Sequence, residues 1–194
     1  MISIDNAHLM TLQYYLFNTY LGDIIRTVPL VLLTMAVWYL IRYGFKNRNH
    51  VPAKLRLWQT LFAGYFAGLI GLAWFYWLLG DLWVGALFNH FHFEFQIPTP
   101  EFGFYLKITF LERFRMENMG NLLMYVPFGI LFPLAFPKAT WKRTALSGFF
   151  LIVFIEVCQM FFERSPDIND VILNTVGLLF SIFIAYAIRR KQIK

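Results

Sequence analysis

The stretch Phe154-Ile-Glu-Val-Cys-Gln-Met-Phe-Phe-Glu-Arg-Ser-Pro-Asp-Ile-Asn-Asp-Val-Ile-Leu-Asn174 joins two very apolar segments through a short polar corner. Glu156, Gln159, Asp170 and Asn174 lie inside segments that otherwise have the composition of membrane spans. An ionisable side chain at the centre of a spanning helix costs about 2.5–3.5 kcal/mol on insertion scales. A chain tolerates that cost where such groups satisfy one another or do chemistry, so this corner is the first candidate for a functional site.

The composition of the whole chain is that of an integral membrane protein. Of its 194 residues 59% are hydrophobic and 14% are charged, whereas soluble domains average about 25% charged residues. The net charge of +6 comes from Lys and Arg clusters between the apolar segments. That distribution is typical of membrane topology signals and not of a nucleic-acid-binding surface. We expect a single transmembrane domain over 1–194, with no metal and no cofactor.

Hydropathy predicts an all-α bundle of about five transmembrane helices. Pro29 falls in the first two turns of the first span, where a missing amide costs least. Gly64 and Gly68 predict close approach of another helix, either within the chain or in a homodimer. Residues 1–23 form either a short interfacial helix or an unstructured lead. The spans are expected at 24–43, 57–79, 118–136, 144–162 and 167–188.

The longest connection, at 81–117, contains a strictly alternating segment, His90-Phe-His-Phe-Glu-Phe-Gln-Ile97. A period of two indicates an extended segment with one apolar face. His90, His92 and Glu94 share the other face, where they could bind a metal ion, although a solvated face is the commoner reason for such a pattern.

Other residues indicate where helices start, break or lie on the membrane surface. Apolar residues at helical spacing predict an amphipathic surface helix over 102–115. Pro127, inside the third span, removes a backbone hydrogen bond and frees the carbonyl of Leu123. Ser165 can cap the fifth helix, with Pro166 at its first position.

Basic residues predict the orientation of the spans. The connections after the first and third spans and the C-terminal tail contain Lys and Arg but no acid, whereas the long second connection has three basic residues against five acids and the fourth has only one basic residue, Arg164. The positive-inside rule then places the N-terminus outside and the C-terminus in the cytoplasm.

This topology brings polar side chains from three spans to the outer side. A purely structural role is a serious alternative, because polar links between membrane helices are worth about 0.6–2 kcal/mol each. The predicted cluster consists of Asn121, Tyr125, Glu156, Gln159, Arg164, Asp167, Asp170 and Asn174, with Pro127, Gly129 and Gly177 in structural roles.

Three motifs in this region resemble the VanZ-like family of bacterial membrane proteins. They are Asn121-Leu-Leu-Met-Tyr-Val-Pro-Phe-Gly129, Glu156-Val-Cys-Gln159 and Arg164-Ser-Pro-Asp-Ile-Asn-Asp-Val-Ile-Leu-Asn-Thr-Val-Gly177. The resemblance implies a multi-pass protein of the bacterial plasma membrane. The named member of that family is associated with low-level resistance to teicoplanin, a glycopeptide that bears an acyl chain.

Three functions are compatible with these features. The first is a resistance or envelope factor that acts at the outer face on an amphiphile, such as a lipoglycopeptide or a lipid-linked cell-wall precursor. The second is a membrane hydrolase or transferase with Glu156 as general acid or base. The third is a transporter or a membrane assembly partner. The chain contains no Gly-x-x-x-x-Gly-Lys-Ser/Thr loop for binding a nucleotide.

Overall fold

The computed structural model describes residues 19–44, 51–79, 82–83, 99–162 and 164–192. Within these ranges the chain forms helices joined by turns and extended connections. π-helical turns at Leu40–Gly44 and Gly71–Phe75 extend the first and second helices, and a 3-10 turn at Met160–Phe162 follows the sixth. The helices are α1 (Tyr20–Tyr39), α2 (Ala53–Ile70), α3 (Tyr76–Leu79), α4 (Met116–Met124), α5 (Val126–Ala135), α6 (Trp141–Gln159) and α7 (Ile168–Gln192).

The predicted fold class is confirmed, because five helical segments are long and apolar enough to cross a membrane. Their ends differ from the predicted ends by only a few residues. The segment His90–Ile97 falls outside the described residues. So does most of the expected interfacial helix at 1–23, and its last four residues belong to the helix of the first span. The five spans are Leu21–Gly44, Ala53–Phe75, Met116–Ala135, Trp141–Phe162 and Ile168–Arg189.

Helix α7 is the centre of the bundle and packs against α4, α5 and α6, while α2 packs between α1 and α5. Small residues make these contacts possible. A Cβ on Gly129 would lie 3.0 Å from the backbone nitrogen of Ile182, and one on Gly148 would lie 2.5 Å from Leu178. Such close approach lets α5 and α6 bury Leu178 completely.

The glycines of the second span face α1 of the same chain. A Cβ on Gly64 would lie 2.5 Å from Met35, and one on Gly68 would lie 3.0 Å from Val31. They therefore act in intramolecular packing, and a homodimer through this surface stays a prediction. Pro29 lies in the middle of α1 and not near its start, because the helix already begins at Tyr20.

The third span is broken at Tyr125, one residue before α5 begins. Pro127 is the second residue of α5, where its missing amide is tolerated. The Tyr65 hydroxyl of α2 donates to the carbonyl of Met124 at this break, at 3.0 Å. A neighbouring helix thus supplies a hydrogen bond to a carbonyl near the proline. The carbonyl is that of Met124 and not that of Leu123, which the position of Pro127 had indicated.

The predicted helix over 102–115 is wrong. The backbone there is extended as far as a turn around 109–112. Its hydrogen bonds go to the corner: the N–H of Glu101 donates to Met160 O, the N–H of Tyr105 to Pro166 O, and the N–H of Ile168 to Tyr105 O, each at 2.9 Å. Pairing with the corner thus replaces the local bonds that a helix would have made.

The same pairing moves the start of the fifth helix. Ser165 does not cap it, and Pro166 lies before it, because the Pro166 carbonyl already accepts from Tyr105. The helix begins at Ile168, and Asp167 caps it by accepting from the N–H of Asn169 at 2.8 Å. Asp170 lies in the first turn of the helix.

Candidate functional site

The predicted polar residues lie on α4 and at the break that follows it, at the end of α6, in the corner, and in the first two turns of α7. We call Asn121, Tyr125, Glu156, Gln159, Arg164, Asp167, Asp170 and Asn174 the corner cluster.

Asn121 and Asp170 connect α4 to α7. The Nδ2 of Asn121 donates to the Oδ1 of Asp170. The contact depends on Gly177, because a Cβ at that position would lie 1.9 Å from the carbonyl oxygen of Leu122. The two backbones therefore approach closely at Leu122, one residue after Asn121 on α4, and at Gly177, about two turns after Asp170 on α7.

Glu156 is buried, with 4% of its surface exposed. Its Oε2 accepts from the backbone N–H of Asp167 at 3.3 Å, so α6 is tied to the N-terminus of α7. The Asp167 carboxylate is engaged elsewhere, accepting from the backbone and side chain of Asn169. Gln159 uses its backbone carbonyl to accept the N–H of Arg164.

The charges of the corner cluster are unevenly balanced. Arg164 is exposed and acts electrostatically on Glu156 and on Asp170, while Asp167 repels both carboxylates. Within the described parts of the chain, Arg164 has no carboxylate within 4.0 Å.

Two buried polar atoms of the cluster have no hydrogen-bond partner among the described residues. They are the hydroxyl of Tyr125, which is 1% exposed, and the Oδ1 of Asn174, which is 3% exposed. Leaving such an atom unpaired costs about 1–3 kcal/mol. Each therefore needs a physical explanation, and a bound polar group would supply one.

Tyr65 and Tyr125 belong to the same hydrophobic core, but only the Tyr65 hydroxyl has a hydrogen-bond partner among the described residues. We therefore expect opposite effects on stability when each hydroxyl is removed. Tyr65→Phe removes the bond to Met124 and should lower stability by about 1 kcal/mol. Tyr125→Phe removes an unpaired hydroxyl and should leave stability unchanged or raise it by about 1 kcal/mol. Thermal unfolding of the purified variants in one detergent checks this, and equal losses in both would contradict it.

Sequence reasoning missed a contribution from α1. Arg26 is buried in that helix and forms an ion pair with Asp23 at 2.5 Å. The Nε1 of Trp83 donates to the Arg26 carbonyl at 2.7 Å. The charge of Arg164 also acts on Asp23. The i, i+3 spacing of opposite charges in an apolar helix was the available signal.

Asn169 was also missed. Its Oδ1 accepts from the N–H of Thr109 at 2.8 Å, and its Nδ2 donates to the Lys107 carbonyl at 2.9 Å. One buried side chain therefore holds the extended segment on the start of α7. No spacing rule links it to residues about sixty positions earlier.

Among the described residues, no three His, Cys, Asp or Glu side chains are grouped as they would be around a metal ion. His90, His92 and Glu94 fall outside the described residues. The cluster itself presents carboxylate, amide and hydroxyl groups beside one guanidinium.

Comparison with known proteins supplies a family. A sequence model described as VanZ/LLP1 matches residues 28–189. The chain is 30% identical over 107 residues to an uncharacterized membrane protein, YwnJ, of Bacillus subtilis (strain 168). That match covers 53% of this chain and 73% of the relative. No solved structure matches significantly.

Proposed function

This chain belongs to the VanZ/LLP1 family of membrane proteins, and we propose that it acts at the outer face of the bacterial plasma membrane on an amphiphilic ligand. The role we propose is resistance to a glycopeptide or lipoglycopeptide of the teicoplanin type, or maintenance of the cell envelope. The corner cluster holds the polar head of the ligand, and the apolar surface around it holds the tail.

The observation that carries this proposal is the pair of buried, unpartnered atoms, Tyr125 Oη and Asn174 Oδ1. The Asn174 oxygen accepts hydrogen bonds, and the Tyr125 hydroxyl can donate or accept. With the Glu156 carboxylate, they suit a head group rich in N–H and O–H donors. Sugars and peptide amides have this chemistry, and glycopeptides and lipid-linked cell-wall precursors carry both.

Exposed aromatic rings near the corner support an amphiphilic ligand. Phe102 of the extended segment meets Phe161 after α6, with ring centroids 6.5 Å apart, and both rings are more than half exposed. Phe154, also exposed, lies on α6 less than one turn before Glu156. An acyl chain that lies along these rings would leave its head group at the corner.

The distribution of basic and acidic residues supports an outer location for the corner cluster. The connections at the opposite end of the bundle contain Lys and Arg but no acid, which is the pattern of cytoplasmic loops. The corner would then face away from the cytoplasm, with the C-terminus inside and the N-terminus outside.

The test is teicoplanin susceptibility in a Gram-positive strain that lacks its own copy of the gene. Wild-type protein should raise resistance. Glu156→Gln and Asn174→Leu should return it to the level of the empty strain, because losing one polar contact to a charged or buried group weakens binding about tenfold or more. Glu112→Gln, which removes an exposed carboxylate outside the cluster, is the matched control.

Equal membrane levels of all variants must be shown by immunoblot. Equal susceptibility with and without the wild-type protein would overturn the resistance role. In that case, binding of purified protein to lipid II tests the envelope role, with the same three variants.

A membrane hydrolase or transferase is a second candidate, favoured by the position of Glu156. Its carboxylate is buried, contacts a backbone N–H and lies close enough to the Tyr125 hydroxyl to act on it electrostatically. A general acid or base needs such a shielded carboxyl group. Turnover of lipid II that Glu156→Gln abolishes, with binding retained, would favour this candidate over simple binding.

A further inference from the structure

The end of the bundle opposite the corner cluster is purely cationic. No Asp or Glu occurs in residues 24–80, 118–155 or 171–194, so the connections at that end contain only basic charges. The two ends of α6 are about 28 Å apart, at 1.5 Å per residue. Whatever this end binds is therefore distinct from a ligand at the corner.

An open groove of about 480 Å³ lies at this end, between α5, α6 and the loop that joins them. That volume is within the range of about 300–1,000 Å³ of small-molecule sites, so the groove can take more than a single ion. One part of its lining is basic, with Lys138 and Arg143, and the other is apolar, with Phe132, Phe136 and Phe150.

We propose that this groove binds an anionic phospholipid. The phosphate lies beside Lys138 and Arg143, and one acyl chain runs along the aromatic wall. Under the orientation proposed above, the lipid belongs to the cytoplasmic leaflet, but the proposal does not depend on the function of the corner cluster.

Charge complementarity singles out a lipid of negative charge. The groove begins beside the N-terminus of α6, whose partial positive charge adds to the two basic side chains. No acidic residue of the flanking helices α5 and α6 lies near this end, since Glu156 is three residues from the other end of α6. Basic recesses between membrane helices are known to hold anionic head groups.

The position of the groove favours lipid over a protein partner. Phe150 and Leu146 are more than half exposed on the face of a spanning helix, where lipid tails are the surrounding medium. Trp141, also more than half exposed, lies at the start of the span. Tryptophan is enriched at that level of membrane helices, where head groups begin.

The test measures lipids retained by the purified protein after exchange into a mild detergent with equal amounts of phosphatidylglycerol and phosphatidylcholine. Native mass spectrometry should show a preference for phosphatidylglycerol in the wild type. The double variant Lys138→Gln/Arg143→Gln should reduce that preference by about 25-fold, which is roughly fivefold for each basic side chain near an anionic lipid.

The matched control is Lys107→Gln/Arg113→Gln, which removes the same charge from exposed positions at the corner end and should change the preference less than twofold. Equal losses in both double variants would show a general charge effect and overturn the proposal. So would a wild type that retains both lipids equally, or displacement of the lipid by millimolar inorganic phosphate, which would indicate an anion site only. Unchanged thermal unfolding shows that the groove variant is folded.

Discussion

Replacing Gly177 with alanine should lower the stability of the bundle by at least about 3 kcal/mol. The added Cβ would lie 1.9 Å from the carbonyl oxygen of Leu122, which is a backbone atom and cannot move unless α4 moves. Overpacking of a core ordinarily costs about 1–3 kcal/mol, and a clash with backbone is at the upper end or beyond it. Thermal unfolding followed by size-exclusion chromatography of the detergent-purified protein measures the loss.

Gly120→Ala is the matched control for this prediction. Gly120 is in α4, two residues before the point of contact, and a Cβ there would have no atom within 4 Å. The change should be neutral or should stabilise the helix by up to about 1 kcal/mol. Comparable losses in the two variants would mean that helix propensity, and not the α4–α7 contact, sets the effect.

Gly177→Ala also tests how the corner cluster is held together. If α4 moves away from α7, the bond between Asn121 and Asp170 is lost as well. Asn121→Leu should then cost about 1–3 kcal/mol in the wild type, as expected for leaving a partly buried acceptor without its donor, but little when added to Gly177→Ala. Additive losses would show that the hydrogen bond does not depend on the close approach.

Replacing Asn169 with leucine should release the extended segment from the corner. The change removes the bonds to Thr109 and Lys107 and one of those to Asp167. The exposed ion pair between Lys107 and Glu112 lies within the segment itself and does not attach it to the corner. Losing these bonds should lower the free energy of local opening by about 1.5–3 kcal/mol, which increases the open fraction about ten- to a hundredfold.

Limited trypsin digestion checks this expectation, because Lys107, Arg113 and Arg115 all lie in the segment. Cleavage should accelerate by the same factor when opening is fast relative to cutting. Thr175→Val, which removes a hydroxyl that bonds only within its own helix in the described structure, is the control and should leave the rate unchanged. An unchanged rate in Asn169→Leu would show that other contacts hold the segment.

In sealed vesicles, the same digestion also reports the side of the membrane on which the segment lies. Cleavage by trypsin added to right-side-out vesicles would support the proposed outer location of the corner cluster. Cleavage in inverted vesicles alone would place the cluster in the cytoplasm and remove the basis for action on an external ligand.

The sequence alone was sufficient for the five spans, because a length of about twenty apolar residues is a local property that needs no partner. It also indicated that Gly177 permits close packing, since a small residue inside a membrane helix has few other uses. It failed over 102–115, where apolar residues at helical spacing lie in an extended segment. The helical period is local, whereas the bonds to Pro166 and Met160 that decide the backbone come from about sixty positions away.

The pairing of polar atoms was decided only by the tertiary structure. Sequence spacing grouped Asn121, Glu156 and Asp170, but it could not show that Asn121 binds Asp170 while Glu156 binds a backbone N–H of the corner. Nor could it show that the Asn169 side chain holds the extended segment against the start of α7 through hydrogen bonds. Apolar length determines that each helix crosses the membrane, because the surrounding lipid acts on every residue alike. Hydrogen bonds depend on distances of a few ångströms between helices, and these are set by how closely the glycines let the backbones meet.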